Sequence, residues 1–275
     1  MQAHDTVIKP TDAGLDPVSQ VFKALTRPRR RPASPEQVQA LSDATRQAVD
    51  HRGVALTAWS WGTGAPVLLL HGWESRASHM VAFVPALVRA GFRVVALDAP
   101  AHGDSQGEVT DVIDYGQAVA AASAHFGPLT AVIAHSFGSA AALHACAHGV
   151  RVQASVHLCG PASLTRVLQR AGAAGGLDAA GITRVEALMA EHLGKPLSVM
   201  GLSSLCEGML HPALILHDPD DPELPASESH ALAEAWPGST LSLVPGVGHR
   251  RILREPSVIS SAVRFITATT SAFMR

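Results

Sequence analysis

Residues Leu129 to Gly149 read LTAVIAHSFGSAAALHACAHG, and the way this stretch divides decides the fold. Leu129 to Ala134 is a short apolar run suited to a buried strand, and the alanine-rich segment from Ser136 has high helix propensity. Between them His135-Ser136-Phe137-Gly138 must turn sharply, which lifts the serine out of the sheet in a strained conformation. Ala134, Gly138 and Ala140 are small enough for strand and helix backbones to approach closely. Taken alone, Ser136 is either a helix cap or an exposed, reactive hydroxyl.

Working outward, Val67 to Leu70, Phe92 to Leu97, Leu129 to Ala134, Ala154 to Cys159, Ala213 to Leu216 and Leu241 to Val244 form apolar strand-like runs. Such runs suit a parallel sheet covered on both faces. Helical patterns fall between them, at about 78–90, 111–126, 136–148, 226–236 and 256–273. The alternation predicts an α/β, doubly wound, mostly parallel sheet, with sites beyond the carboxyl ends of its strands. Val54 to Trp61, followed by Gly62-Thr63-Gly64, suggests an early hairpin.

Two stretches depart from the alternation. Residues 161–211 are helical in pattern, with Leu164, Val167, Leu168 and Ala171 on one face and Ile182, Val185, Met189 and Leu193 on another, which predicts a small helical cap inserted into a core of 51–160 and 212–275. Met189, Met200 and Met209 fall there, either as an adaptable pocket roof or as ordinary packing. Residues 1–50 form an N-terminal extension. It holds a short helix at Asp16 to Leu25, an N-cap at Ser34-Pro35-Glu36-Gln37, and between them the basic run Arg27-Pro28-Arg29-Arg30-Arg31-Pro32, which reads as an exposed, proline-stiffened linker in preference to an anion site.

A serine hydroxyl is a weak nucleophile at neutral pH and needs a base and an orienting acid. His249, in the glycine-flanked loop Val244-Pro245-Gly246-Val247-Gly248-His249 after the last strand, is the best-placed base. The preceding strand ends in HDPDDPELP, residues 217–225, which supplies Asp218, Asp220 and Asp221.

Ala134-His135-Ser136-Phe137-Gly138 resembles the nucleophile elbow G-x-S-x-G of the α/β-hydrolase family, with alanine in the first glycine position. The resemblance extends to the acid loop, a variant of H-G-x-x-D-x-x-V-P in which Asp218 and Leu224 replace glycine and valine; this register, with Pro225, favours Asp221 over Asp220 as the acid. It also covers Asp98-Ala99-Pro100-Ala101-His102-Gly103-Asp104-Ser105, similar to D-x-P-G-x-G-x-S, where Asp98 and His102 serve loop architecture. His71-Gly72-Trp73 resembles the family's H-G-x loop and implies an oxyanion hole of the Trp73 and Phe137 backbone amides. His71 and His135 are expected to be hydrogen-bonded structural histidines. The resemblance implies a catalytic set Ser136, Asp221 and His249 in the family's chain order, with no metal or organic cofactor.

Composition narrows the partners. A net charge of -2 does not point to nucleic acid or an anionic membrane as the main partner, and the most apolar window, Ala131 to Val150, is broken by His135, Ser136, His144 and His148. Cys146, Cys159 and Cys206 lack CxxC spacing and read as reduced core fillers. The start MQAHDTVIKPTDAG shows no secretory pattern, so a cytoplasmic location is expected. Fifteen scattered histidines include no HExxH helix.

The expected function is hydrolysis of a small carboxylic ester or related acyl substrate through an acyl-enzyme. The same triad also suits an acyltransferase, thioesterase or perhydrolase, and the departures at Ala134, Ala101 and Asp218 leave room for a non-catalytic small-ligand binder.

Overall fold

The apolar runs become short strands because five residues suffice to cross a sheet covered by helices on both sides. A computed structural model describes residues 14–201, 205, 206 and 208–271. In chain order its elements are α1 (Pro17–Thr26), α2 (Pro35–Gln39), β1 (Thr45–His51), β2 (Val54–Trp61), β3 (Pro66–Leu70), a 3-10 turn (Ala77–Phe83) leading into α3 (Val84–Arg89), and β4 (Arg93–Leu97). There follow α4 (Val112–Phe126), β5 (Ala131–His135), α5 (Phe137–Ala147), β6 (Ala154–Leu158), α6 (Leu164–Ala174), α7 (Ala179–Leu193) and β7 (Ala213–His217). The chain continues with α8 (Ser227–Ala235), β8 (Ser239–Leu243), the single turn α9 (Gly248–Arg251) and α10 (Pro256–Ser271). The leader reading at residues 1–13 and the end of the last helix at Phe273 lie outside the described residues.

The sheet has eight strands in the order β1-β2-β4-β3-β5-β6-β7-β8. β1 and β2 run antiparallel to their neighbours and the rest are parallel. Alternation along β3 shows the two layers: Val67 and Leu69 pack with Phe83, Leu87, Ala262 and Ile266 on one face, and Leu68 and Leu70 with Tyr115, Ala118 and Ala141 on the other. β8 departs from the doubly covered pattern, with no buried residue along its length. Among the described residues no helix is long and apolar enough to cross a membrane.

The early hairpin forms one strand sooner, with β1 paired to β2 through Arg52 and Gly53, both at positive φ. The Gly62-Thr63-Gly64 turn instead carries the chain from β2 to β3, which do not pair because β4 lies between them. The stretch read as an N-terminal extension therefore contributes the edge strand β1.

The basic run is also more than a linker. It is exposed and proline-stiffened, yet Arg27 pairs with Glu108 at 2.8 Å, Arg29 with Glu74, and Arg30 with the carbonyls of Ala101 and Gly107. α1 begins on Asp16, whose carboxylate accepts from the Val18 and Ser19 amides, and packs Val18 and Val21 against Val185 of α7. Between β6 and β7, α6 and α7 bury Leu168, Met189, Met200 and Met209 together with Trp236 and Cys206. These methionines are core packing.

Candidate active site

Strand register sets the site. Leu70 lies opposite Ala134, His135 opposite Leu158, Leu158 opposite Leu216, and His217 opposite Leu243, so the strands end in line. Their following loops carry Trp73, Ser136, Cys159, Asp221 and His249 to one edge.

Ser136 has φ 50° and ψ −116°, a strained conformation for a residue with a Cβ, and immediately precedes α5. Its side chain makes no capping hydrogen bond, which disposes of the helix-cap reading. The turn is held by its backbone: Ser136 N–H donates to Leu158 O at 2.9 Å and Ser136 O accepts from Ser139 N–H at 2.9 Å. Gly138 is obligatory here, because a Cβ at that position would stand 2.6 Å from His71 O and 2.7 Å from Leu70 O. Gly72 matters for a similar reason. A Cβ there would stand 3.0 Å from His135 Nδ1 and 3.2 Å from Ser136 Cβ, so glycine lets the loop after β3 pass directly over the elbow.

Asp221 and His249 meet at 2.7 Å, Oδ2 to Nδ1, and both are buried. Burial alone would raise the Asp221 pKa, but the hydrogen bond and charge of His249 and the amides of Leu224 and Glu223 override it and hold the carboxyl at about 2. Asp221 Oδ1 accepts from those amides at 3.0 and 2.8 Å, which fixes the carboxylate's orientation. His217 braces the loop through Leu224 O at 2.9 Å and Ser229 Oγ at 2.6 Å. Asp220 is exposed, its amide donating to Asp218 Oδ1 at 3.0 Å.

Asp218, which stands where the family pattern has glycine, is buried and turned toward the histidine loop. Its carboxylate accepts from the amides of Gly246 and Gly248. Burial opposes its ionisation, but these amides and that of Asp220 outweigh it and lower the pKa. Asp218 thereby ties the acid loop to the loop of His249.

His249 Nε2 makes no hydrogen bond among the described residues; Glu223 Oε2 stands 3.9 Å away. The structure brings Ser136 and His249 to one edge without a hydrogen bond between them, a contact that apo sites often tighten only around substrate. The neighbour of the serine supplies a link: His135 Nε2 donates to His249 O at 2.8 Å, and the two rings lie 4.7 Å apart. Burial pushes His135 down to about 3, so its ring is neutral. His71 is likewise neutral, its pKa lowered mainly by burial; it accepts from Ala99 N–H at 3.0 Å and donates to Gly72 O at 2.7 Å.

Cys159 was missed by sequence as anything but core. It follows β6 at φ 47°, and its Sγ forms a buried group with Asp221 and His249 in which one potential ligand atom from each lies within 4.8 Å of the others. Burial, and then the nearby Asp221 charge, push its thiol pKa up, so the sulfur stays protonated. It is the one such three-ligand group among the described residues.

The Trp73 and Phe137 amides are free of acceptors for different reasons. Trp73 N–H donates to no described residue, and Phe137 N–H opens α5, where no helical carbonyl precedes it. Their rings pack edge to face, 5.1 Å apart. Asp98 accepts from Ala77 N–H at 2.7 Å, Asp104 N–H at 3.1 Å and Trp59 Nε1 at 3.3 Å, serving loop architecture.

Residues 67–262 match the model of the alpha/beta hydrolase family. A non-heme haloperoxidase of Rhodococcus erythropolis is 34% identical over 104 residues, a match that spans 36% of this chain and 38% of that protein. Among solved structures, an esterase of Pyrococcus furiosus superposes with a TM-score of 0.69 at 20% identity, covering 89% of this chain and 99% of that one. A bromoperoxidase of Bacillus anthracis gives 0.62 at 17% identity, covering 82% and 100%. The sheet order, the strained serine before α5 and the family match over 67–262 agree: this chain belongs to the alpha/beta hydrolase family.

Proposed function

We propose that the protein hydrolyses a small carboxylic ester through an acyl-enzyme. The observation that carries this is the strained Ser136 at the same sheet edge as a buried Asp221–His249 pair joined at 2.7 Å. In this reading Ser136 Oγ attacks the ester carbonyl while His249 Nε2 takes its proton. The Trp73 and Phe137 amides hold the oxyanion, and the alkoxide leaves with the proton from His249. Water then repeats the sequence on the acyl-serine, releasing the acid. Asp221 stays ionised throughout and keeps Nδ1 protonated, which leaves Nε2 free to act as base.

A purified sample should cleave short p-nitrophenyl esters, and a fluorophosphonate should label Ser136. No adduct on Ser136 by mass spectrometry, beside a fully labelled esterase control, would refute this function and favour a non-catalytic binder. The esterase and haloperoxidase names of the similar proteins supply a second reading. Here hydrogen peroxide replaces water on the acyl-serine and a peracid leaves. Peracid formation with acid and peroxide supplied together tests it, and carboxylate as the sole product excludes it.

A further inference from the structure

We propose that Arg29 is a positioning residue for the oxyanion loop, acting through Glu74; the inference rests on the ester-hydrolase reading above. Arg29 lies in the proline-bounded run 27–32, whose two ends are anchored. Upstream, α1 packs on α7, and Thr26 O accepts from Thr110 N–H at 3.0 Å. Downstream, Gln37 of α2 meets His79 Nε2 at 2.7 Å, and the other nitrogen of that ring meets Ser75 Oγ at 2.7 Å. Held at both ends, the run crosses the loop that follows β3.

Its one bidentate contact falls on the residue next to a proposed oxyanion donor. Arg29 Nε donates to Glu74 Oε1 at 2.8 Å, Nη2 donates to Oε2 at 2.8 Å, and the Arg29 amide adds a bond to Oε1 at 3.1 Å. Two parallel bonds from a planar fork fix direction as well as distance, which a lysine could not do. Glu74 needs such a hold. It sits at φ 50°, a left-handed conformation that disfavours any residue with a Cβ. Glycine would adopt it freely, so glutamate at this position makes sense through its carboxylate. Glu74 N–H donates in turn to His102 Nε2 at 3.0 Å, and the Trp73 ring stands edge-on to His102 at 5.1 Å. With Gly72 pressed against Ser136, Glu74 gripped by Arg29 and His102, and Arg76 paired to Asp104, the Trp73 amide is fixed from both sides.

Magnitudes decide where the effect should appear. The Arg29 side chain is half exposed, and such ion pairs add little to global stability. A misplaced oxyanion donor, by contrast, acts directly on the transition state. Arg29→Met and Glu74→Gly, which removes the carboxylate but relieves the backbone, should each lower kcat about tenfold with KM changed less than about twofold, since loosening a donor costs less than deleting one. The double variant should lose no more than either single. Amide exchange over residues 72–76 should quicken in Arg29→Met, whereas Arg27→Met, which breaks only the exposed pair with Glu108, should match wild type in both measurements.

Wild-type kcat in Arg29→Met, with or without faster exchange, would overturn the inference, as would an equal loss in Arg27→Met or additive losses in the double variant. A wild type that neither turns over esters nor labels at Ser136 would overturn the hydrolase reading itself, which keeps the two failures distinct.

Discussion

His135 Nε2 donates a 2.8 Å hydrogen bond to the backbone carbonyl of His249, so the residue preceding the elbow serine carries the loop of the proposed base. Gly72 lies against the same imidazole at its Nδ1 side. One buried, neutral ring thus touches the serine turn, the loop after β3 and the histidine loop, and its role is to hold three loops in register.

Replacing His135 with Phe keeps the ring and removes the donor. It leaves His249 O unpartnered in a buried site, which should cost about 1–3 kcal/mol of stability. Turnover should fall with little change in KM, because the anchor that is lost is that of His249, the proposed base. Denaturant unfolding and steady-state kinetics on the variant check this; wild-type values in both would show that the contact is idle.

The acid loop separates three neighbouring carboxylates. Asp221→Asn should permit the wrong His249 tautomer and lower turnover by about 10²- to 10⁴-fold. Asp220→Asn should stay within about twofold, because that side chain is exposed and surface substitutions of this kind change little. Asp218→Asn should fall between, near tenfold as a rough scale for a displaced catalytic group, since asparagine retains one acceptor for the Gly246 and Gly248 amides. Because triad members act as a unit, adding His249→Ala to Asp221→Asn should cost little beyond His249→Ala alone. A rank order with Asp220 above Asp221 would reassign the acid.

Acid should destabilise the protein well above the range where carboxylates titrate. Burial holds His135 and His157 at about 3 and His102 at about 4, against an ordinary value of 6.5. Below pH 6.5 the unfolded chain takes up protons that the folded chain refuses, so each of these histidines removes about 1.4 kcal/mol per pH unit until its folded pKa is reached. Asp221 acts in the same direction over a lower window: its stabilisation is lost only as pH falls from 3.8 toward about 2. The urea midpoint should therefore drop steeply between about pH 7 and about pH 5. A flat profile there would mean that these imidazoles take up protons in the folded state.

The elbow was legible because its requirements are local. A five-residue apolar strand, a turn and an alanine-rich helix leave few alternatives, and the close contact of Gly138 with Leu70 and His71 carbonyls is what a small residue at that spacing is for. β1 was not legible for an equally physical reason. Its sequence TRQAVDH buries only Val49 and His51, because an edge strand faces solvent on one side and its His51 is satisfied by Asp114 at 2.8 Å. The grip of Arg29 on Glu74 spans 45 residues, and no local pattern announces a partner at that distance. Cys159 and Asp218 were hidden differently: one read as a core filler and the other as a departure from the family's glycine, and only the convergence of β6, β7 and the His249 loop gives them neighbours.

One buried carboxylate ties α6 to α8 beside the apolar packing of the segment between β6 and β7. Glu228 of α8 is fully buried, accepts from Ala162 N–H at 2.7 Å, and is gripped by Arg166 Nε at 2.7 Å and Arg170 Nη1 at 3.2 Å from α6. Burial opposes its ionisation, but the Arg166 hydrogen bond and the Ala162 amide prevail and lower its pKa. Removing the carboxylate leaves the Ala162 amide unpaired, whereas both arginines are partly exposed and can turn to water. Glu228→Ala should therefore cost about 1–3 kcal/mol, below the 3–5 typical of breaking a pair with both ends buried. Glu228→Gln, which keeps an acceptor for Ala162, should cost less. The released α6 and α7 should become the first site of cleavage in limited proteolysis, with the sheet core protected. Equal losses for Ala and Gln would assign the role to charge alone, and unchanged proteolysis would show that the buried methionine cluster holds the segment without it.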